Sequence, residues 1–354
     1  MRYYDRIRQE IDAMDEARET IATPLTERLG CRYPIISAGM GGPARSELAA
    51  AVSQAGGFGL MGMVRESPAL IAQEIAAVRQ RTNRAFGVNL IPACTESRLL
   101  AEELAACFDA GVPAMCFFWD VDVQAIAKAK RAGCLVLYQV GSVADAVKAE
   151  AAGADVIVVQ GVEAGGHVWG RRGLSVLLPE VADAVDVPVA ASGGIVDGRG
   201  LAAALALGAD GIHCGTAFLA SAESFAHDYH KQRLVAAGPD ETVHTDLFVI
   251  NWPKGAPVRV LKNSQTAAVG DKLWGHDPET MPREVIGHDD GAPIHRHDTN
   301  SPLRRTTGDL EAMALYAGDG VARVKAIEPA GAIVARIMAE AIAAIRANAA
   351  AISA

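Results

Sequence analysis

The feature that most constrains this chain is a regular alternation of short apolar runs with helix-forming stretches between Tyr33 and Ala226. The runs are Tyr33–Met40, Phe58–Met61, Phe86–Ile91, Ala114–Trp119, Leu135–Val140, Asp155–Gln160, Pro188–Ala191 and Gly211–Cys214. Most are continuous in Val, Ile and Leu rather than alternating with polar residues, the pattern of strands covered on both faces. Helical stretches stand between them: Ser46–Gln54, Pro68–Gln80, Glu96–Ala110, Val123–Ala132, Val143–Ala152, Leu174–Val185 and Arg199–Leu207. The phrases Ala-Gly-Ala-Asp at 152–155 and Leu-Gly-Ala-Asp at 207–210 repeat one punctuation, a glycine that stops a helix in a left-handed cap just before a strand. Eight strand-then-helix units predict an α/β protein, a closed (β/α)8 TIM barrel rather than an open doubly wound sheet.

Outside the repeat the pattern changes, which divides the chain into four parts. Residues 1–23 hold a charged amphipathic helix, Arg2–Thr20, with no signal-peptide core. The barrel occupies 24–226. Segment 227–327 reads as a lid or cap over the substrate, because 240–307 is rich in Pro, Gly, His and charge and too long for a plain connection. A strong helix from Ala330 to about Ala347, within 328–354, is long enough to pack back on the barrel. The formal charge of −9 leaves no basic stripe for nucleic acid. No apolar run reaches the roughly 20 residues of a membrane span. The six cysteines, Cys31, Cys94, Cys107, Cys116, Cys134 and Cys214, show no C-x-x-C spacing, which predicts reduced core residues of a cytoplasmic protein. Homo-oligomerisation is left open by the sequence.

In a barrel the loops at the carboxyl ends of all the strands meet on one face, so the chemistry is sought there. Ser192-Gly193-Gly194 follows the seventh strand and Cys214-Gly215-Thr216 the eighth, the two loops that cradle a phosphate with backbone N–H groups. A phosphate held without a Walker lysine points to a mononucleotide cofactor or a phosphorylated substrate. Asn89, Gln139 and Gln160 each end an apolar strand, where an amide can bond the heteroatoms of a ring or tie down a neighbouring loop. His167, beside Gly165 and Gly166 at the end of the sixth strand, is the candidate acid or base. Glu163 either orients it or caps the next helix. Trp119, Trp169 and Trp252 line a substrate pocket or pack under the lid. His288, Asp289, His295, His297 and Asp298 match no ligand spacing, so no metal is assigned.

At these residues the chain resembles the nitronate monooxygenase family, FMN-dependent TIM barrels. The resemblance lies in Pro-Ile-Ile-Ser-Ala-Gly-Met-Gly-Gly at 34–42, the helix and strand at 46–62, Gly-Val-Asn-Leu at 87–90, Val-Val-Gln-Gly-Val-Glu-Ala-Gly-Gly-His at 158–167, Ala-Ser-Gly-Gly-Ile at 191–195, His-Cys-Gly-Thr at 213–216 and Tyr-Ala-Gly-Asp-Gly-Val at 316–321. It implies FMN held by the Met40 backbone, Asn89, Gln160, Gly165, Gly194 and the run His213, Cys214, Gly215 and Thr216, with Gln139 and Gly193 on the same rim. It also implies His167 as the base. The implied reaction oxidises an alkyl nitronate, or a nitroalkane, with dioxygen to a carbonyl compound and nitrite. Ala38-Gly39-Met40 stands where the family has Ala-Pro-Met, which implies a looser turn. The same Glu-Ala-Gly-Gly-His loop resembles that of FMN-dependent enoyl-acyl-carrier-protein and quinone reductases, which take electrons from NAD(P)H. A phosphate-binding barrel without redox chemistry is the third reading, and the lack of a lysine at any strand end counts against a Schiff-base aldolase.

Overall fold

The computed structural model describes residues 19–352. The expected helix over Arg2–Thr20 lies outside these residues apart from Glu19 and Thr20, which are not helical. Eight parallel strands close into a barrel: β1 (Ile35–Ser37), β2 (Phe58–Gly62), β3 (Phe86–Leu90), β4 (Ala114–Phe118), β5 (Leu135–Val140), β6 (Val156–Gln160), β8 (Val189–Ser192) and β9 (Gly211–Cys214). Closure comes from β1 against β9, where Ser37 stands opposite Cys214. The strand between β6 and β8 in the chain, β7 (Gly166–His167), leaves the barrel and joins the cap.

The two-residue period of a strand sorts side chains between the two faces. Ile36, Leu60, Cys116, Leu137, Val158 and Ala190 fill the barrel interior. Their neighbours Met61, Phe117, Tyr138, Val159, Ala191 and Ile212 belong to the larger cluster under the surrounding helices. Those helices are α2 (Ser46–Gln54), α3 (Pro68–Arg81), α4 (Ser97–Asp109), α5 (Val123–Arg131), α6 (Val143–Ala151), α7 (Leu174–Ala182) and α8 (Gly198–Ala206). Ser67, Asp122, Ser142 and Asp197 each accept a backbone N–H at a helix start, satisfying donors the helix cannot.

One helix was not expected from the sequence. The six-residue α1 (Pro24–Leu29) begins with a capping box at Thr23 and ends at Gly30, which is left-handed with φ 64°. Its Leu25 and Leu29 join the barrel-interior cluster and close the amino-terminal end of the barrel. Thr23 Oγ1 ties it to the Asp210 carbonyl at 2.7 Å.

The segment that reads as aperiodic in sequence contains three short strands and two helices between residues 227 and 289. After α9 (Thr216–Leu219) come α10 (Asp228–Ala236), β10 (Thr242–Thr245), β11 (Val258–Leu261), α11 (Ser264–Val269) and β12 (Val285–Asp289). The strands β13 (Ala292–His295) and β14 (Thr307–Gly308) flank β12 in one small sheet, while β10, β11 and β7 form another. Val258 of β11 stands opposite His167, so the cap sheet is anchored on the residue singled out as the base. The helix α12 (Ala330–Ile352) then packs on α8 and α2, with Ile333, Val334, Ile337 and Ala341 buried.

Candidate active site

The alternation that fills the barrel with aliphatic side chains brings a different layer to its carboxyl end. Asn89, Phe118, Gln139, Gln160, Ser192 and His213 are the next inward positions on their strands, and all six line one cavity of about 170 Å³. Ala38, Gly39 and Met40 from the β1 end, Gly165 to His167, Gly193 to Val196, Gly215, Thr216, Ser301 and Tyr316 to Gly318 complete its wall. No lysine or arginine is among the residues that line it.

At one end the cavity meets backbone. Gly193 (φ 120°) and Gly194 (φ 69°) occupy a region that L side chains avoid, and both line the cavity beside Gly215. The N–H groups of Gly193, Gly194 and Gly215 have no acceptor among the described residues. Such a nest suits a phosphate. The Thr216 hydroxyl accepts the Gly318 N–H at 2.9 Å, so it braces the 316–321 segment as well as facing the cavity. Cys214 is buried outward among the helix-facing residues and is not on the wall.

Along the wall the amides divide into two uses. The Asn89 Oδ1 is buried without a partner, and Gln139 makes no side-chain hydrogen bond among the described residues. Gln160 is spent on the chain itself. Its Nε2 donates to the His167 carbonyl at 2.8 Å and its Oε1 accepts from the Trp169 N–H at 3.0 Å, strapping the loop that presents His167. His213 bonds Ser192 Oγ through Nδ1 at 2.9 Å, and burial holds its pKa down at about 4, so it is neutral near pH 7.

His167 is enclosed by aromatic rings. The Trp252 indole lies nearly flat on the imidazole, 3.3 Å between centroids and 21° between planes, while Trp119 meets it edge-on at 6.0 Å and Tyr316 stands at 6.0 Å. Neither ring nitrogen has a hydrogen-bond partner among the described residues. Burial, reinforced by the Arg65 charge, holds its pKa well below the ordinary histidine value, so the ring is a neutral base with a free lone pair. Trp119, Trp169 and Trp252 form one aromatic cluster with Ile91 and Phe118 beside it. Trp119 and Trp252 therefore pack on His167, whereas Trp169 packs on Trp119 and donates its indole N–H to Asp145 at 3.0 Å, and none of the three is among the residues that line the cavity.

Several sequence readings change in detail. Glu163 does not touch His167; both of its oxygens accept the Leu174 N–H at 3.0 Å, at the start of α7. The glycine at 165 serves a close approach within the chain, since a Cβ there would lie 2.4 Å from Gly318 N. The Gly39 turn is not loose: a Cβ would stand 2.4 Å from Asn89 Cβ, so the missing side chain is what lets Asn89 reach the wall. His295 stands 3.5 Å from Asp298 and His297 packs edge-on against Phe248, while no group of three metal-ligating side chains converges among the described residues. Arg172 pairs with Glu180 away from the cavity. Ala38, Phe118, Ser301 and Tyr316 were not assigned from sequence. Tyr316 had a signal in the glycines that follow it, whereas Ser301 comes from a cap segment with no pattern to mark it.

A closed barrel whose carboxyl-end cavity brings free backbone donors together with a neutral, unpaired imidazole has the build of a barrel enzyme. Residues 22–340 match the nitronate monooxygenase family model, and the chain belongs to that family of oxidoreductases. Among curated relatives, (3aS,4S,5R,7aS)-5-hydroxy-7a-methyl-1-oxo-octahydro-1H-indene-4-carboxyl-CoA dehydrogenase of Mycobacterium tuberculosis is 38% identical over 245 residues, covering 68% of this chain. The matched region spans 66% of that relative's length. Among solved structures, FabK from Thermotoga maritima superposes with a TM-score of 0.80 at 30% identity, over 93% of this chain and 99% of that one. The nitroalkane oxidase from Streptomyces ansochromogenes gives a TM-score of 0.75 at 34% identity, over 92% and 99%. No helix among the described residues is long and apolar enough to cross a membrane.

Proposed function

We propose that this protein is an FMN-dependent oxidase of alkyl nitronates and nitroalkanes, using dioxygen and forming a carbonyl compound and nitrite, with His167 as its base. The cavity fits FMN on two independent grounds. The free N–H groups of Gly193, Gly194 and Gly215 supply a phosphate nest, and the orphaned Asn89 Oδ1 together with the free Gln139 amide offers partners to a polar heterocycle. Met40, Gly165, His213 and Thr216 stand on the wall around it, and Cys214 does not. Bound there, FMN supplies acceptance of electrons from the substrate and their passage to dioxygen.

The observation that carries this reading is the neutral, unpaired imidazole of His167 inside its aromatic box. A nitroalkane has an acidic C–H, and an imidazole lone pair removes that proton to leave the nitronate anion and an imidazolium. Trp119, Trp252 and Tyr316 exclude water from the proton transfer and from the oxygen step. Gln160 straps the backbone that follows the base, from the His167 carbonyl to the Trp169 N–H, which helps present the ring in one orientation. A preformed nitronate needs no deprotonation, so its turnover tests the steps that follow proton removal. The likeness to nitroalkane oxidase supports this substrate class.

A second reading has its own support, from the likeness to FabK and to the indene-carboxyl-CoA dehydrogenase: FMN-dependent redox chemistry on an acyl thioester, with NAD(P)H as donor where the substrate is reduced. With the glycine N–H groups taken by FMN, the wall offers a nicotinamide dinucleotide or coenzyme A phosphate no cationic side chain, and a small substrate needs none. Incubation with propyl nitronate under air separates the two. The proposal expects oxygen uptake with nitrite and propanal as products. Absence of nitrite together with NAD(P)H-driven turnover of an acyl thioester would establish the second reading.

A further inference from the structure

Three of the non-glycine residues in left-handed backbone, Arg65 (φ 59°), Trp119 (φ 84°) and Asn251 (φ 67°), stand around the His167 box. Such conformations persist only where surrounding contacts over-determine them. For Arg65 the contacts are visible. The carboxyl of Glu103, fully buried on α4, accepts the N–H of the next residue, Glu66, at 3.1 Å. Arg45 then holds the Glu66 side chain at 2.7 Å. This turn aims the Arg65 guanidinium across to the cap, where Nη1 donates to the Asn251 carbonyl at 2.7 Å and the group stands 5.9 Å from the Trp252 ring centre. Asn251 is held from its other side, because its Oδ1 accepts the Thr299 hydroxyl at 2.6 Å and the Thr299 N–H at 3.3 Å. The next residue is the indole that lies on His167.

We infer that Arg65 is a positioning residue for the base: seated on the buried Glu103, it latches the Asn251–Trp252 turn of the cap to the barrel rim and thereby keeps Trp252 flat against His167. The inference rests on the reading of His167 as the base, and it adds a control on that base from an element that touches neither the imidazole nor the cavity wall. Without the latch, the Asn251–Trp252 turn keeps its ties within the cap, to Thr299, to the Val249 carbonyl and, through Ile250, to the His297 carbonyl, but loses its hydrogen bond to the barrel rim, and the imidazole loses its cover. The same guanidinium also acts on the base through space. The charged or titratable groups near His167 are Arg65 from the β2–α3 loop and Tyr316 from the segment before α12. Arg259, opposite Gly166 on β11, is turned to the Val162 carbonyl and Asp319. Removing Arg65 therefore leaves protonation of the imidazole easier.

Diethyl pyrocarbonate, which acylates neutral imidazole, reads both effects without turnover. The rate at His167 is followed by peptide mass spectrometry on the protein as purified, with the exposed His288 as internal reference. In the native protein His167 is expected to react far more slowly than His288. In Arg65→Met and in Trp252→Ala its rate rises roughly tenfold relative to that reference, as local opening becomes accessible. The acid limb of its pH dependence moves to higher pH in Arg65→Met and stays in place in Arg65→Lys, which keeps the charge. Should Arg65→Met not fold, Asn251→Ala, which cuts the Thr299 tie, is expected to give the same increase in rate. A rate at His167 unchanged in Arg65→Met while Trp252→Ala reacts fast would overturn the latch, as would a native rate in Trp252→Ala. Either result is distinct from failure of the base assignment, which would appear as unaltered nitroalkane turnover in His167→Ala.

Discussion

His167 shows how much of a side chain's chemistry is set by its surroundings. An exposed imidazole is half protonated near pH 6.5, whereas this one, desolvated by tryptophan faces and repelled by Arg65, stays neutral through the range in which the enzyme must act. Base-dependent turnover of nitroalkane is therefore expected to be flat from pH 6.5 upward on account of this residue and to fall only on the acid side. A pH–rate profile whose acid limb sits at or above 6.5 would contradict the burial argument. Replacing His167 by Ala should lower kcat/KM for a neutral nitroalkane by about 10²–10⁴-fold while changing the value for a preformed nitronate only a few-fold. Steady-state assays on the two forms of one substrate check this directly. Gly39 makes a second case at the same scale. Gly39→Ala places a methyl 2.4 Å from Asn89 Cβ, with an expected cost of about 1–3 kcal/mol and weakened flavin retention, measured by denaturant unfolding and by absorbance after gel filtration.

Among the elements, those legible in sequence carry a period, and those missed are too short to have one. The barrel strands and their helices were readable because each apolar run is bounded by a glycine stop or a cap, as at Gly153 before β6 and Ser142 before α6. The cap strands β10, β11 and β13 have four residues each, and β7 only two, so hydrophobic alternation never repeats enough to be seen. The α1 plug was hidden for the same reason. The site was legible where a residue ends a strand, as Asn89, Gln139 and Gln160 do, and illegible where its neighbours come from the cap, as Ser301 and the Arg65 contact to Asn251 do. What sequence could not give for Gln160 was its partner, because an amide at a strand end serves a ligand or a loop equally well. Among the helices, α12 is the one whose docking completes the barrel's outer ring. Ile337→Ala, at a fully buried position facing α8, is expected to cost about 2–5 kcal/mol, read from chemical denaturation.

At the scale of the whole molecule the buried titratable groups set a pH dependence of stability. Burial drives His213 and His230 down to about 4, and the same cause acts on the half-buried His244 and His297. Between pH 6.5 and 4 the unfolded chain binds protons at these positions that the folded chain does not, so stability falls as pH drops through that window. The two fully buried rings contribute up to about 3 kcal/mol each. Glu103 acts in the opposite sense, since burial raises its pKa to about 7 and the folded state then holds a proton that the unfolded state loses above 4.5. One carboxyl does not offset the histidines, so the thermal midpoint should decline from pH 6.5 to 4, and His230→Gln should flatten that decline. A midpoint that rises on acidification would contradict the assignment of these rings as neutral.

The central claim joins fold, cavity and base into one activity: flavin chemistry on a nitronate. It is tested most directly by anaerobic mixing of the purified yellow protein with propyl nitronate, NADH and NADPH in separate experiments, followed by absorbance. The account predicts rapid loss of the flavin's visible absorbance with the nitronate and none with either nicotinamide. Fast reduction by NADH or NADPH with silence toward the nitronate, or a purified protein without bound flavin, would contradict it.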